Sequence, residues 1–147
     1  IDEMERARAK MKKEGKAALT EAFQEFFTAA PEVKAIKWIQ SIPSFNDGDP
    51  CVFSVHELML KLSKKGMEEL LGRKMTKDEY DAHFEEYDSD EWSLQNASNA
   101  RAKEVASLFR EFVRAVQYDE LFQEVFGDGA EVIATPGKFK CEDYYGD

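Results

Sequence analysis

Cysteine and histidine are both scarce in this sequence, with two of each among 147 residues. Cys51 and Cys141 are too few for a disulfide framework and form no CxxC metal motif. We expect two reduced thiols buried in strands, with a Cys51–Cys141 disulfide as the alternative for a secreted protein. His56 and His83 form no HExxH motif and no pair at ligand spacing, so the pattern predicts no metal site.

Long apolar runs and nucleotide-binding loops are also missing. No stretch approaches the roughly 18 apolar residues that cross a bilayer, and the first residues lack the apolar segment of a signal peptide. We therefore expect a cytoplasmic protein with no membrane partner. Walker, GxGxxG and GxSxG motifs do not occur, so the sequence predicts no cofactor and favours a binding protein over an enzyme. Acid–base catalysis by paired carboxylates stays open, because thirty acidic residues always offer pairs.

Basic side chains are fewer than acidic ones, with 20 against 30, which gives a net charge of −10. Affinity for a phosphate backbone comes from lysine and arginine, so this balance disfavours direct nucleic-acid binding. The negative charge either keeps the protein soluble or lets an acidic surface mimic nucleic acid in a partner's basic groove. Hydrophobic residues make up 43% of the chain and include eleven Phe, which indicates one folded domain with its own core.

The clearest fold signal lies in residues 35–62, where two alternating apolar runs flank a cluster of proline, glycine, asparagine and aspartate. This pattern predicts a β-hairpin with a long loop. The apolar alternation changes parity after Val55. A β-bulge near His56 and Glu57 would explain the change, and so would a switch from strand to helix.

Helical periodicity predicts a long helix over residues 1–30, ended by Pro31, followed by a single α+β domain over 31–147. The first half of this helix is polar, and it either projects as an arm or pairs with another copy through a thin Met/Ala seam. Further helices are predicted at 67–71, from Lys77 onwards, at 97–116 and after Asp119, and a second hairpin at 131–135 and 138–143.

The predicted fold class is therefore α+β, a small antiparallel sheet of two hairpins packed on one face by several helices. The acidic residues between Glu85 and Glu91 are expected to form an exposed, flexible connection. His83 is expected on the helix that precedes this connection, and that helix is expected to be exposed.

The loop of the first hairpin is the main candidate site. Residues 46–49, Asn-Asp-Gly-Asp, have the oxygen-rich composition of a calcium or magnesium loop but lack EF-hand spacing, so an Asx-type turn is preferred. Phe45 is either tucked onto the sheet or presented to a partner. Trp38 is either a core residue or a binding residue. The candidate ligand- or partner-binding residues are Trp38, Phe45, Asn46, Asp47, Asp49 and His56.

Three segments resemble parts of short bacterial and phage proteins that have no assigned activity. They are FNDGDPCVFSVHE at 45–57, KAIKWIQ at 34–40 and FGDGAEV at 126–132. The resemblance covers about a third of the chain and implies a bacterial or phage protein that acts inside the cell. It assigns no activity, cofactor or functional residue.

Three functions are consistent with these observations. The preferred one is a non-catalytic intracellular binding protein that is expected to be a homo-oligomer. It would serve a phage as an accessory or anti-defence factor by binding a host protein or sequestering a small ligand. The second is an acidic nucleic-acid mimic that inhibits a DNA- or RNA-binding protein. The third is a small metal-dependent hydrolase that uses Asp47 and Asp49 with His56.

Overall fold

The computed structural model describes residues 3–42, 53–116 and 120–144. It confirms the α+β fold and the long N-terminal helix. None of the helices in this part of the chain is both long and apolar enough to cross a membrane. In chain order the elements are α1 (Glu3–Ala29), β1 (Val33–Ser41), β2 (Ser54–Leu62), α2 (Lys64–Leu71), α3 (Lys77–Glu85), α4 (Glu91–Gln95), α5 (Ala100–Val116), α6 (Glu120–Phe126), β3 (Ala130–Thr135) and β4 (Lys138–Asp143).

The four strands form one antiparallel sheet in the order β2-β1-β3-β4. Both predicted strand pairs are confirmed, and β1 joins them by pairing with β3. The loop of the first hairpin, the cysteine at position 51 and the residue predicted to cap α6 at position 119 lie outside the described residues. Gly137 has a φ of 79°, which fits the third position of a type II turn between β3 and β4.

The predicted β-bulge lies in β2, where Glu57 and Leu58 together face Trp38 of β1. Glu57 adopts a φ of 53°, a left-handed conformation that is costly for a residue with a Cβ. The extra residue moves the side chains that follow it to the opposite face. The bulge therefore explains the change of parity after Val55.

The core lies between one face of the sheet and helices α1, α5 and α6. Phe23 of α1 is its centre, because its ring stacks on Trp38 at 5.3 Å between centroids and meets Phe112 edge-on at 4.8 Å. Phe122 of α6 packs against the other side of this cluster, 5.3 Å from Trp38. Each such pair contributes about 0.5–1.5 kcal/mol beyond the area it buries.

Gln40 is a fully buried polar residue that links the central strand to α6. Its side-chain amide donates to the carbonyl oxygens of Phe122 and Gly127, at 2.8 and 2.7 Å, and its oxygen accepts from the indole N–H of Trp38 at 3.0 Å. These bonds satisfy the end of α6 as well as the tryptophan. A buried network of this kind fixes one arrangement of the layers, because each unsatisfied group would be costly.

Local sequence signals place α2 and α3 as predicted. Ser63 caps α2, whose end is Gly72 with a φ of 67°, and the helix begins three residues before the predicted position. Thr76 and Glu79 form the predicted capping box at the start of α3.

Three expectations are wrong. Asp90 is 3% exposed, so the acidic connection is partly buried, and Glu91 begins α4, which the sequence did not predict. α3 packs on the face of the sheet opposite to the core, so the helices do not share one face. Cys141 is exposed because it lies on the edge strand β4, where no further element covers it in the described part of the chain.

We predict that Gln40→Ala lowers the free energy of unfolding by about 3 kcal/mol, because it leaves buried groups on Trp38, Phe122 and Gly127 without their partner. Urea denaturation followed by circular dichroism measures this change. Gln24→Ala on the exposed side of α1 is the matched control, with a change within about 0.5 kcal/mol. Equal effects of the two variants would contradict the structural role of Gln40.

Candidate functional site

The structure describes two of the six candidate binding residues. Trp38 has no exposed surface, so its ring belongs to the core, while the strand segment that contains it forms part of a cleft floor on the other face. His56 is half-buried on β2. The other four, Phe45, Asn46, Asp47 and Asp49, lie outside the described residues.

His56 forms a close pair with Ser41, with 3.0 Å between Nε2 and Oγ. That distance fits a nucleophile and its general base. However, Ser41 is only 9% exposed, and the two residues are diagonal neighbours on adjacent strands, where such hydrogen bonds ordinarily stabilise a sheet. The geometry therefore favours a structural bond.

A cleft of about 280 Å³ lies on the sheet face that the core helices leave open. Its floor is apolar and consists of Ile39, Met59 and Ile133, which come from three neighbouring strands. Charged residues surround this floor. They are Glu85 and Glu86 from the end of α3, Glu131 from β3, Glu142 and Lys140 from β4, and Lys37 from β1.

Two buried lysines fix α3 as one wall of this cleft. Lys37 donates to the carbonyl oxygen of Phe84 and lies 4.2 Å from the centre of its ring, and Lys61 donates to the carbonyl oxygen of His83 at 3.0 Å. Burial lowers the pKa of both ammonium groups. Ammonium groups at the last carbonyls of a helix satisfy orphan acceptors and complement the negative end of its dipole.

Asp90 anchors the chain that follows α3. Its Oδ2 accepts from the backbone N–H of Leu62 at 2.9 Å, and its Oδ1 lies 2.7 Å from Nε2 of His83. Ser89 adds a second attachment to β2 by accepting from the N–H of Leu60 at 3.0 Å. These bonds hold the connection against β2, so the segment containing Tyr87 is fixed at both ends beside the cleft.

Tyr87 crosses the cleft and donates from its hydroxyl to Oε1 of Glu131. That hydrogen bond raises the pKa of the Tyr87 phenol, with smaller contributions from desolvation and from the charges of Glu131 and Glu57. Glu142 lies directly opposite Glu131 on the neighbouring strand. The cleft therefore combines an apolar floor, a tyrosine and two opposed carboxylates.

Sequence reasoning did not identify this cleft. Glu131 and Glu142 belong to the predicted second hairpin, and their equal charge at facing positions would have been visible once the register was known. The acids after α3 were interpreted as a loose connection because their burial depends on partners that are remote in sequence.

Comparisons with protein-family models, with curated proteins and with solved structures find no match to this chain. Within residues 3–42, 53–116 and 120–144, His, Cys, Asp and Glu form no group of three or more that could hold a metal ion.

We predict that Asp90→Ala lowers the free energy of unfolding by about 3 kcal/mol, because it removes a buried carboxylate from Leu62, His83 and the nearby ammonium group of Lys61. Asp88→Ala, an exposed residue of the same connection, is the control and should change stability little. Urea denaturation measures both variants. An equal loss in the two would mean that Asp90 is not the anchor.

We predict that Glu131→Gln lowers the pKa of Tyr87 towards its ordinary value of 10, because the charged acceptor of the phenol hydrogen bond is lost. Titration of phenolate absorbance measures this pKa, and the difference from Tyr87→Phe assigns the signal. Glu68→Gln on α2 serves as the control. A pKa at the ordinary value in the unsubstituted protein would show that Tyr87 does not bond to Glu131 in solution.

Proposed function

We propose that this protein is a non-catalytic binding protein whose site is the cleft on the open face of the sheet. We further propose that the cleft takes a cationic group carried on an apolar stem, as in an arginine or lysine side chain or a small amine. The observation that carries the proposal is the facing pair Glu131 and Glu142 beside an apolar floor.

Like charges directly opposite each other on adjacent strands destabilise a sheet by about 0.2–1 kcal/mol. Lys37 offsets part of this repulsion, because its charge interacts with that of Glu131 while its ammonium group donates to Phe84 and lies against that ring. Lys140 is exposed and offsets part of the charge, but the four glutamates still exceed the two lysines of the cleft. A bound cation would relieve the repulsion and gain charge-assisted hydrogen bonds.

The remaining surfaces suit the stem of such a ligand. Ile39, Met59 and Ile133 offer apolar contact, and the ring of Tyr87 offers a face for a cation. A volume of about 280 Å³ is near the lower end for ligand pockets and fits one long side chain or a small amine.

The resemblance of the first hairpin to segments of bacterial and phage proteins supports a role inside a bacterial cell. In that setting the protein would act as a phage accessory factor that binds a basic surface of a host protein, or sequesters a small cationic ligand. This context supports the choice of partner by analogy and adds no residue to the site.

A nucleic-acid mimic is the second candidate, because Glu85 and Glu86 are exposed acids at the cleft and Asp88 is a further exposed acid two positions later. Its partner would be a basic groove, and complex formation would weaken steeply with salt. The metal-dependent hydrolase stays a prediction, since Asp47 and Asp49 lie outside the described residues.

Isothermal titration calorimetry with a blocked Ala-Arg-Ala peptide tests the proposal. We expect binding that weakens about tenfold or more in Glu131→Gln/Glu142→Gln, because each lost carboxylate removes a charge-assisted contact. Glu68→Gln/Glu69→Gln removes the same charge from α2, away from the cleft, and should bind as the unsubstituted protein does.

Two further ligands test whether the charge is recognised and whether the ligand is a small amine or a basic protein. The same peptide with citrulline in place of arginine keeps the shape without the charge, and equal affinity for it would contradict cation recognition. Agmatine carries the guanidinium group without a peptide. Agmatine binding as tight as the peptide indicates a small amine as ligand, and a clear preference for the peptide indicates a basic protein. The proposed site would be refuted if neither the arginine peptide nor agmatine gave a heat of binding.

A further inference from the structure

The charges of this chain are segregated. Residues 6–16 carry six basic side chains and one acidic side chain, a net charge of +5, which leaves −15 on the rest of the molecule. We call residues 6–16 the basic arm. Arg6, Lys10 and Lys13 are all exposed on it. Their spacing of four and three residues places them on one side of the helix over about 10 Å.

The segment of α1 before Gly15 projects beyond the body of the protein, and it contains most of the basic arm together with the acids Glu3 and Glu5. Among the positions of α1 whose burial is described, Gly15 is the first buried one, and it lies against Leu121 and Val125 of α6, where a methyl group would come within 3.3 Å of both. Before Gly15 every residue whose side chain is described is exposed, including Met4 at 68%. Arg6, Lys10 and Lys13 point away from the side that Gly15 occupies, because helical positions turn by about 100° per residue.

The arm and the cleft of one molecule lie on opposite sides of the sheet. The second half of α1 packs on the core face through the stack of Phe23 on Trp38, whereas the cleft lies on the open face behind that strand. Contact between arm and cleft is therefore a contact between two molecules.

We propose that the basic arm of one copy binds the acidic cleft of a second copy, with side chains of Arg6, Lys10 or Lys13 entering beside Glu131 and Glu142. The inference rests on the proposed function, since it names the partner of the same cleft. Charge complementarity favours this contact, because the arm carries a net +5 and the cleft holds four glutamates against two lysines. It also disfavours a phosphate polymer, which would meet a body of −15 beside the arm.

Size also fits this arrangement. The cleft holds about 280 Å³, which accepts one long side chain but not a helix, so the arm would lie across the rim formed by Glu85 and Glu86. Each molecule offers one arm and one cleft. Reciprocal exchange closes a symmetric dimer, whereas one-way exchange builds a ring or a chain.

Sedimentation velocity tests the inference with the full chain. We expect association at about 0.05 M salt, with a dissociation constant that rises about tenfold or more at about 0.5 M salt, because the contact is screened. Arg6→Glu/Lys10→Glu/Lys13→Glu should be monomeric at low salt. Lys64→Glu/Lys65→Glu/Lys77→Glu makes the same change in charge at the exposed starts of α2 and α3, and should still associate.

A charge exchange gives the decisive result. Glu131→Lys/Glu142→Lys makes the cleft basic, so this variant should be monomeric alone, as should the arm-reversed variant. Mixing the two offers an acidic arm to a basic cleft and should restore association between unlike copies. Loss of association through misfolding could not be rescued in this way.

Other results would overturn the inference. A monomer at low salt, or association that survives reversal of the arm, means that the arm does not bind a second copy. Binding of a duplex DNA oligonucleotide that depends on the arm, without self-association, identifies a phosphate polymer as partner instead. If the protein is monomeric but still binds the arginine peptide through Glu131 and Glu142, the proposed function stands and only this inference fails.

Discussion

The structure depends on how two lysines are accommodated beneath α3. Lys37 and Lys61 project from neighbouring strands, and Lys61 has no exposed surface. A buried ammonium group is costly unless it is paired, and here the carbonyl groups at the end of a helix supply the partners. This requirement places α3 on the open face of the sheet. The acids that follow α3 are then held near the same two positive charges, and Asp90 becomes part of the interior.

The sheet consequently has two faces with different roles. On the core face, Trp38 and Gln40 connect the central strand to α1 and α6 by aromatic contact and hydrogen bonds. These contacts bury the side chain of the tryptophan completely. On the other face, α3 covers one part and leaves the rest as a cleft. A rigid strand that is fixed from behind is a suitable support for a binding site, because its side chains keep their positions without a ligand.

Charge segregation gives the open face its chemical character. The cleft brings together carboxylates from α3, β3 and β4, while the surplus of positive charge lies on the projecting half of α1. A net charge of −10 alone suggests an acidic protein that avoids anionic partners. The distribution of the charges shows in addition that the molecule has a basic arm and an acidic cleft. These are two complementary surfaces that it cannot join within one copy.

The sequence by itself determined the local elements. The capping box at Thr76 and Glu79 and the glycine at position 72 could be predicted because each depends on a few adjacent residues and their backbone preferences. The same holds for the long first helix, the apolar stripe of α5 and both pairs of strands. The change of parity near Glu57 was also visible, but the sequence left both a bulge and a switch to helix open, and the structure shows the bulge.

Tertiary structure decided the site. Glu131 and Glu142 face each other only in the observed register, and Tyr87 reaches Glu131 across 44 positions of sequence. The burial of Asp90 depends on Leu62 and His83, and the exposure of Cys141 depends on its place at the sheet edge. Local preference cannot predict such features, because burial and charge pairing arise between segments that only packing brings together.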